Sequence, residues 1–453
     1  MLRRCYKLAA AEPMQLDRGK TVVEFSRFQD FLSGLLARQR ELFFSGDGKP
    51  SIEELLEKLM GSLGEVSGML TARQVFDSYN EFDEEANLAF FENLEQNYNA
   101  NEAAVRLAFG MYSEAATSSN LNRLARAAEP RRLELLRRLN QTPGATHDLV
   151  SMRTDLLNLI RDNPHLKAVD ENFVRLFTSW FGRGFLVLQT IDWSTSAAVL
   201  ERIIRYEAVH EIKDWDDLRS RIDPVNRRCF AYFHPALIDE PLIFVEVALG
   251  HAIPDSIASI LEDTPDAGAN SAKYTTATFY SISNCQPGLK NITFGNFLIK
   301  QVVQELQAEF PSIKQFVTLS PIPWFQLWLD DEEKGEPEEL LSLRAEVDAL
   351  GLEAAAVAEN SELISKAVFN YLMHAKRGKY PADPVARFHL GNGAMIYQIN
   401  TGADLSDKGL SQSRGTMVNY LYDIGSIERN HERFITEGYV EFDGKLKSLL
   451  IKS

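Results

Sequence analysis

FYSISNCQPGLKNITFGNFLIKQVVQELQAEFPSIKQFVTLSPIPWF, residues 279–325, decides the fold. It begins in an apolar, β-branched run, TTATFYSIS (275–283), and passes a Pro-Gly turn into FGNFLIKQVVQELQAEF (294–310). There Phe297, Leu298, Val302, Leu306 and Phe310 fall on or near one face of a helix. IKQFVTLS (313–320) follows as a second strand. Strand, helix and strand joined by short links make a βαβ unit, and so an α/β or α+β domain.

Moving upstream, GFLVLQTIDW (184–193), RCFAYF (228–233) and PLIFVEVALG (241–250) are β-rich and bounded by turn residues. Ser194 or Thr195 is placed to cap a helix over AAVLERIIRYEAV (197–209). Downstream, DDEEKGEPEE (330–339) is an acidic, solvated loop leading to a helix in LISKAVFNYLMHAK (363–376). VARFHLGNGAMIY (385–397) is an apolar, strand-like run containing His389.

The pattern before residue 183 differs, because residues 20–182 are helix after helix. Phe25, Phe28, Leu32, Leu35 and Leu36 form one stripe in residues 22–44. Ser51 and Glu54 have the spacing of a capping box, followed by the stripe Ile52, Leu55, Leu56, Leu59, Met60 and Leu63. Leu149, Met152, Leu156 and Ile160 repeat the spacing later. Two domains are therefore expected: a helical scaffold or oligomerisation domain over 1–183 and an α/β domain over 184–453.

Composition narrows the function classes. The chain has 453 residues, 45% of them hydrophobic, and a formal net charge of −16. A generally acidic field repels phosphate backbones, which argues against nucleic-acid binding but leaves room for a local anion pocket. The longest apolar stretch is broken by Glu246 and falls short of the ~20 residues that span a bilayer. The three cysteines, Cys5, Cys229 and Cys285, are widely separated, which fits a reducing compartment and a cytoplasmic protein. The histidines show no HExxH-type spacing, so a metal site has no support.

Three places can carry chemistry. Between the first strand and the helix, Lys290, Asn291, Ile292, Thr293, Phe294, Gly295 and Asn296 form a loop running towards a helix N-terminus. Free backbone N–H groups there suit a pyrophosphate, although no P-loop or GxGxxG spacing is present and an ordinary structural turn competes. Ser320 closes the second strand, at the end of α/β strands where ligands bind; a plain Ser-Pro turn is the alternative. His389 precedes Gly391-Asn392-Gly393, with Arg414 and Tyr422 further on. A lone histidine in an apolar run is more often a hydrogen-bonded core residue than a catalyst, whereas glycines on both sides of Asn392 permit a close backbone approach.

Taken together, residues 279–325 and PVARFHLGNGAMIYQINTGADLSDKGLSQSRGTMVNYLYD (384–423) closely resemble the malonyl-CoA decarboxylase family. The likeness runs from about Phe185 to Tyr422 and is carried by SPIP and FHLGNGA; the helical half matches by pattern. The resemblance implies a catalytic domain of the GNAT acyltransferase fold behind a helical assembly domain. It implies malonyl-CoA as substrate, acetyl-CoA and carbon dioxide as products, and a homo-oligomer, dimer or tetramer, serving fatty-acid or malonate metabolism. The family's catalytic serine and histidine fall on Ser320 and His389, and a supporting tyrosine on Tyr422. Coenzyme A phosphates would meet residues 290–296. Some members carry an acidic residue where this chain has Thr293, which supplies a hydrogen bond but no charge.

The chemistry of a β-carbonyl acid needs no separate cofactor, since the thioester carbonyl can take up the electrons released with carbon dioxide. An enzyme must orient the carboxylate, stabilise the enolate and protonate carbon. Ser320 is expected to hold the substrate and take part in proton movement. His389, with an ordinary pKa of about 6.5, is expected to donate the proton. Asn392 and Tyr422 would orient them, with Gly391 and Gly393 as clearance for the thioester. An N-acyltransferase with an amine acceptor, or a non-catalytic acyl-CoA sensor, are the competing readings.

Overall fold

A computed structural model describes residues 50–61, 64–263, 274–292, 297–331 and 338–451. The helix expected over residues 22–44, Leu63 and Thr293 through Asn296 lie outside the described residues. The chain divides into two compact units.

The first unit runs to Trp180 and also takes in Pro235–Ile238 and Pro287–Ile292. Its described residues are helical, the first helix among them being Ile52–Met60. The capping box forms there: Ser51 N–H donates to Glu54 Oε2 at 3.1 Å, and Glu54 N–H donates to Ser51 Oγ at 3.3 Å. Asp83, Asn101 and Thr117 cap later helices in the same manner, each accepting a main-chain N–H two or three residues into the helix. Leu55, Leu56 and Leu59 from the first stripe are buried with Leu149, Met152 and Leu156 from the helix Ala145–Leu159.

The Pro-Gly turn belongs to this unit. A Cβ on Gly288 would lie 1.9 Å from the Val150 carbonyl oxygen, so only glycine allows the turn to pack there. Arg153, its side chain fully buried, donates to the carbonyls of Gly288 at 2.7 Å and Lys290 at 2.9 Å and pairs with Asp170 at 2.6 Å. The turn's main-chain acceptors are thereby satisfied inside the protein.

The second unit holds Phe181–His234, Asp239–Gln286 and Thr293–Ser453. Its strands are β1 (Val187–Ile191), β2 (Arg227–Phe233), β3 (Pro241–Gly250), β4 (Thr276–Asn284), β5 (Gln315–Thr318), β6 (Ser320–Pro321), β7 (Lys376–Arg377), β8 (Tyr380–Pro381), β9 (Met395–Asn400) and β10 (Met417–Leu421). The main sheet runs β1-β2-β3-β4-β5-β10-β6, with β9 paired to β10. β1 to β4 are antiparallel neighbours, whereas β4 and β5 are parallel, as the crossover helix Phe297–Glu309 requires. The expected βαβ unit is present, within an all-helical plus mixed α/β architecture.

Alternation along β2 shows how the sheet is covered. Cys229, Ala231 and Phe233 pack with Val199, Leu200, Ile203, Leu218 and Ile222 from helices Ala197–Tyr206 and Trp215–Ile222. Tyr232, pointing to the other face, donates its hydroxyl to the Leu298 carbonyl on the crossover helix at 2.6 Å. Ser196, rather than Ser194 or Thr195, caps Ala197–Tyr206. The two earlier residues form an Asp192-centred turn instead, with Ser194 N–H and Oγ–H both donated to Asp192 Oδ1.

His389 does not lie in a strand. The run that looks strand-like forms the helix Pro384–Gly391, and the strand begins only at Met395. Asp383 accepts the N–H groups of Val385 and Ala386, both at 2.9 Å, and Pro384 occupies the first turn. A cap followed by proline starts a helix, and burial of Ala386, His389 and Leu390 at i, i+3 and i+4 keeps it there.

Candidate active site

β6 and the helix Pro384–Gly391 bring Ser320 and His389 together, with Ser320 Oγ 3.1 Å from His389 Nε2. Across the ring, His389 Nδ1 is 2.8 Å from the hydroxyl of Tyr422, just beyond β10. Tyr420 stacks on the imidazole at 4.8 Å between centroids and 23° between planes. Ser320 also donates to Thr318 Oγ1 at 2.8 Å. All of these side chains are buried.

Strand pairing fixes the arrangement. β10 places Leu421 opposite Val317 and Val418 opposite Ser320, so β5 and β6 share one register. At the break between them, Tyr420 N–H donates to Thr318 Oγ1 at 3.2 Å, and the Asn419 side-chain amide donates to the Thr318 carbonyl at 2.9 Å. Asp383 ties the following residues to the His389 helix, its second oxygen accepting Trp324 N–H at 3.4 Å. Burial raises the Asp383 carboxyl to about 6 despite those N–H bonds.

Burial alone lowers His389 to about 3, which makes it a neutral imidazole at physiological pH, not the partly charged donor expected from its ordinary pKa. The phenol of Tyr422 is pushed well above its usual range by the same cause. The site is therefore a neutral, hydrogen-bonded chain. A cavity of about 270 Å³ adjoins the residues after Ser320, lined by Pro321, Pro323, Asp404, Lys408, Gln412 and Ser413 among others.

Residues 184–453 match the family described as malonyl-CoA decarboxylase C-terminal domain, and residues 98–181 match its N-terminal domain. The chain belongs to the malonyl-CoA decarboxylase family. Its members are carboxy-lyases. Among relatives, the mitochondrial malonyl-CoA decarboxylase of Anser anser anser is 34% identical over 71% of this chain and 69% of that protein. That of Rattus norvegicus is 33% identical over 73% of each. The crystal structure of malonyl-CoA decarboxylase from Rhodopseudomonas palustris superposes with a TM-score of 0.82 at 45% identity, covering 88% of this chain and 98% of that one. The Agrobacterium vitis enzyme gives 0.80 at 45% identity, covering 88% and 100%.

Other residues singled out from the sequence have different settings in this family member. Lys290 and Asn291 are exposed and Ile292 is buried, all three within the first unit. Asn392 donates its side-chain amide to the Phe388 carbonyl at 2.7 Å, closing the end of the His389 helix. At Gly393 the space a side chain would need is taken up by the protein itself. Gly393 has φ +89, and a Cβ there would sit 2.1 Å from the Ile427 carbonyl oxygen; one on Gly391 would meet Phe434 at 3.5 Å. Arg414 is buried against Gln326 Oε1 at 3.0 Å and Asp348 Oδ1 at 3.2 Å, tying the helix Phe325–Asp330 to the end of the helix Glu338–Asp348.

Thr318, Tyr420 and Asp383 escaped the sequence reading. The Asp383-Pro384 pair was the available signal for a helix start. Thr318 and Tyr420 offered none, since their roles arise from pairing across roughly a hundred residues. Among the described residues, no cluster of three or more His, Cys, Asp or Glu side chains is placed to hold a metal ion, and no helix is long and apolar enough to cross a membrane.

Proposed function

We propose that Ser320 and His389 carry the family's reaction, decarboxylation of malonyl-CoA to acetyl-CoA and carbon dioxide. The 3.1 Å contact between Ser320 Oγ and His389 Nε2 is the observation that supports this reading. The bond between carboxyl and methylene carbons breaks, its electron pair moves into the thioester as an enolate, and carbon dioxide leaves. The methylene carbon then takes a proton from His389 Nε2.

A neutral imidazole is acidic enough for this step, because a thioester enolate is a far stronger base than the ring; neutral histidine serves as an electrophile to enolates elsewhere. Tyr422, donating to Nδ1, offsets the charge left on the ring, and one proton from solvent per turnover restores the resting state. Ser320 holds the substrate beside Nε2 and shares the proton. The thioester is its own electron sink, so this reading calls for no added cofactor.

Purified protein supplied with malonyl-CoA and no amine should release acetyl-CoA and carbon dioxide in equal amounts. Dependence on an amine acceptor would assign the site to acyl transfer instead. Ser320→Ala and His389→Asn should keep coenzyme A binding while losing most turnover.

Cytoplasmic residence is the second part of the proposal, supported by the buried, unpaired thiols of Cys229 and Cys285. Homo-oligomerisation through the helical unit is the third. Leu107, Phe109 and Leu121 are exposed on helices Glu102–Glu114 and Ser118–Ala127. Sedimentation of a Leu107→Glu, Phe109→Glu variant should show a smaller particle than the unaltered chain; an unchanged one removes this pair from the interface.

A further inference from the structure

The hydrogen bonds around Ser320 have a direction, and Thr318 sets it. Thr318 Oγ1 lies where the β10 ladder would ordinarily use a main-chain acceptor. It takes the N–H of Tyr420, a group that can only donate, at 3.2 Å. Its other lone pair accepts the Ser320 hydroxyl at 2.8 Å. The Ser320 proton is thus turned away from the imidazole, and Ser320 Oγ presents a lone pair to His389 Nε2 at 3.1 Å. Nε2 must then carry the ring proton. Nδ1 is left as an acceptor, and the Tyr422 hydroxyl, 2.8 Å away, is its donor. Donation runs one way: Tyr422 to His389, His389 to Ser320, Ser320 to Thr318.

We propose that Thr318 is a positioning residue that selects the Nε2–H tautomer of His389 by accepting the Ser320 proton. This rests on the Ser320–His389 reading above. Without the Thr318 acceptor, the Ser320 hydroxyl rotates to donate to Nε2, the ring proton moves to Nδ1, and the nitrogen that faces Ser320 no longer has a proton to give. Thr318 touches no reacting atom in this account. Its influence passes through the Ser320 rotor.

Side-chain ¹⁵N NMR of histidine-labelled protein tests this directly. His389, assigned by its loss in His389→Asn, should show the Nε2–H pattern in the unaltered chain. A proton on Nδ1 there overturns the proposal, whatever any variant does. Thr318→Val should move the ring towards Nδ1–H and lower kcat by roughly tenfold to a hundredfold with KM nearly unchanged. Thr318→Ser, which restores the acceptor, should return both tautomer and kcat. If Thr318→Val fails to fold, the resting tautomer and the Thr318→Ser kinetics still decide: a Thr318→Ser protein with the proton on Nδ1 and full turnover rejects the role. Ser320→Ala and His389→Asn are assayed alongside. If both retain turnover, the dyad itself is wrong. If both lose it while Thr318→Val keeps tautomer and kcat, the dyad stands and Thr318 is only structural.

Discussion

The α/β unit buries two groups of polar side chains and treats them in opposite ways. Around His389 the partners are neutral: the hydroxyls of Ser320 and Tyr422 and the ring of Tyr420. Around Glu246 they are charged. Arg221 lies 3.4 Å from Glu246, 3.2 Å from Asp217, and donates to the carbonyls of His210 and Glu211 at 2.7 and 2.8 Å. Burial, then the nearby Glu207 carboxylate, lifts Glu246 to about 8 against the pull of Arg221. One cluster uses the Arg221 charge to hold three chain segments together: its own helix, residues 210–211 and β3. The other keeps its histidine free of any fixed counter-charge.

The largest expected effects separate the clusters by what fails. Ser320→Ala and His389→Asn should lower kcat by roughly 10²–10⁴, with stability losses on the order of 1 kcal/mol in urea unfolding. Arg221→Met should do the reverse. It removes the buried guanidinium that donates to Asp217 and to the carbonyls of His210 and Glu211, leaving buried acceptors unpaired at a cost on the order of 1–3 kcal/mol each, while kcat per folded molecule stays near that of the unaltered chain. Adding Glu246→Leu should recover part of that stability, because an apolar side chain replaces a buried carboxyl that has lost its Arg221 partner. If Arg221→Met unfolds no more easily than Ser320→Ala, the contrast collapses and the Glu246 cluster is not structural.

How far each cluster was legible follows from where its partners lie in the chain. Ser320 and His389 could be found because motifs surround them, and the βαβ pattern placed Ser320 at a strand end. The conformation around His389 was misread because period-2 and short helical apolar runs look alike over eight residues, and Asp383 decides the matter through its cap. What Gly288 packs against was hidden for a related reason. Its lack of a side chain accommodates Val150, a neighbour 138 positions away in sequence, and no local pattern reports that. Glu246 showed only as an interruption in an apolar strand; its partner Arg221 comes from a separate helix. His389's protonation state was equally hidden, since burial and not residue type sets it.

The smallest expected effects concern pH, and they set the two clusters against each other. Glu246 has a folded-state value of about 8, above the ordinary unfolded value of about 4.3. Between those values the native protein holds a proton that the unfolded chain has lost, so stability falls as pH rises. His389 has a folded-state value of about 3, below the unfolded value of about 6.5. Between those the unfolded chain holds the extra proton, so stability falls as pH drops. Each slope reaches about 1.4 kcal/mol per pH unit, and between roughly 4.3 and 6.5 the two oppose one another. Urea unfolding across pH 4 to 9 should therefore show that Glu246→Gln removes a loss confined to the range above about 6.5, where His389 no longer titrates in either state. His389→Asn should leave that range unchanged and protect the protein only as pH falls below about 6.5. A His389→Asn protein whose acid-side profile matches the unaltered chain would mean that His389 becomes charged at its ordinary pKa in the folded state. The buried chain of neutral hydrogen bonds would then be the wrong description of the site.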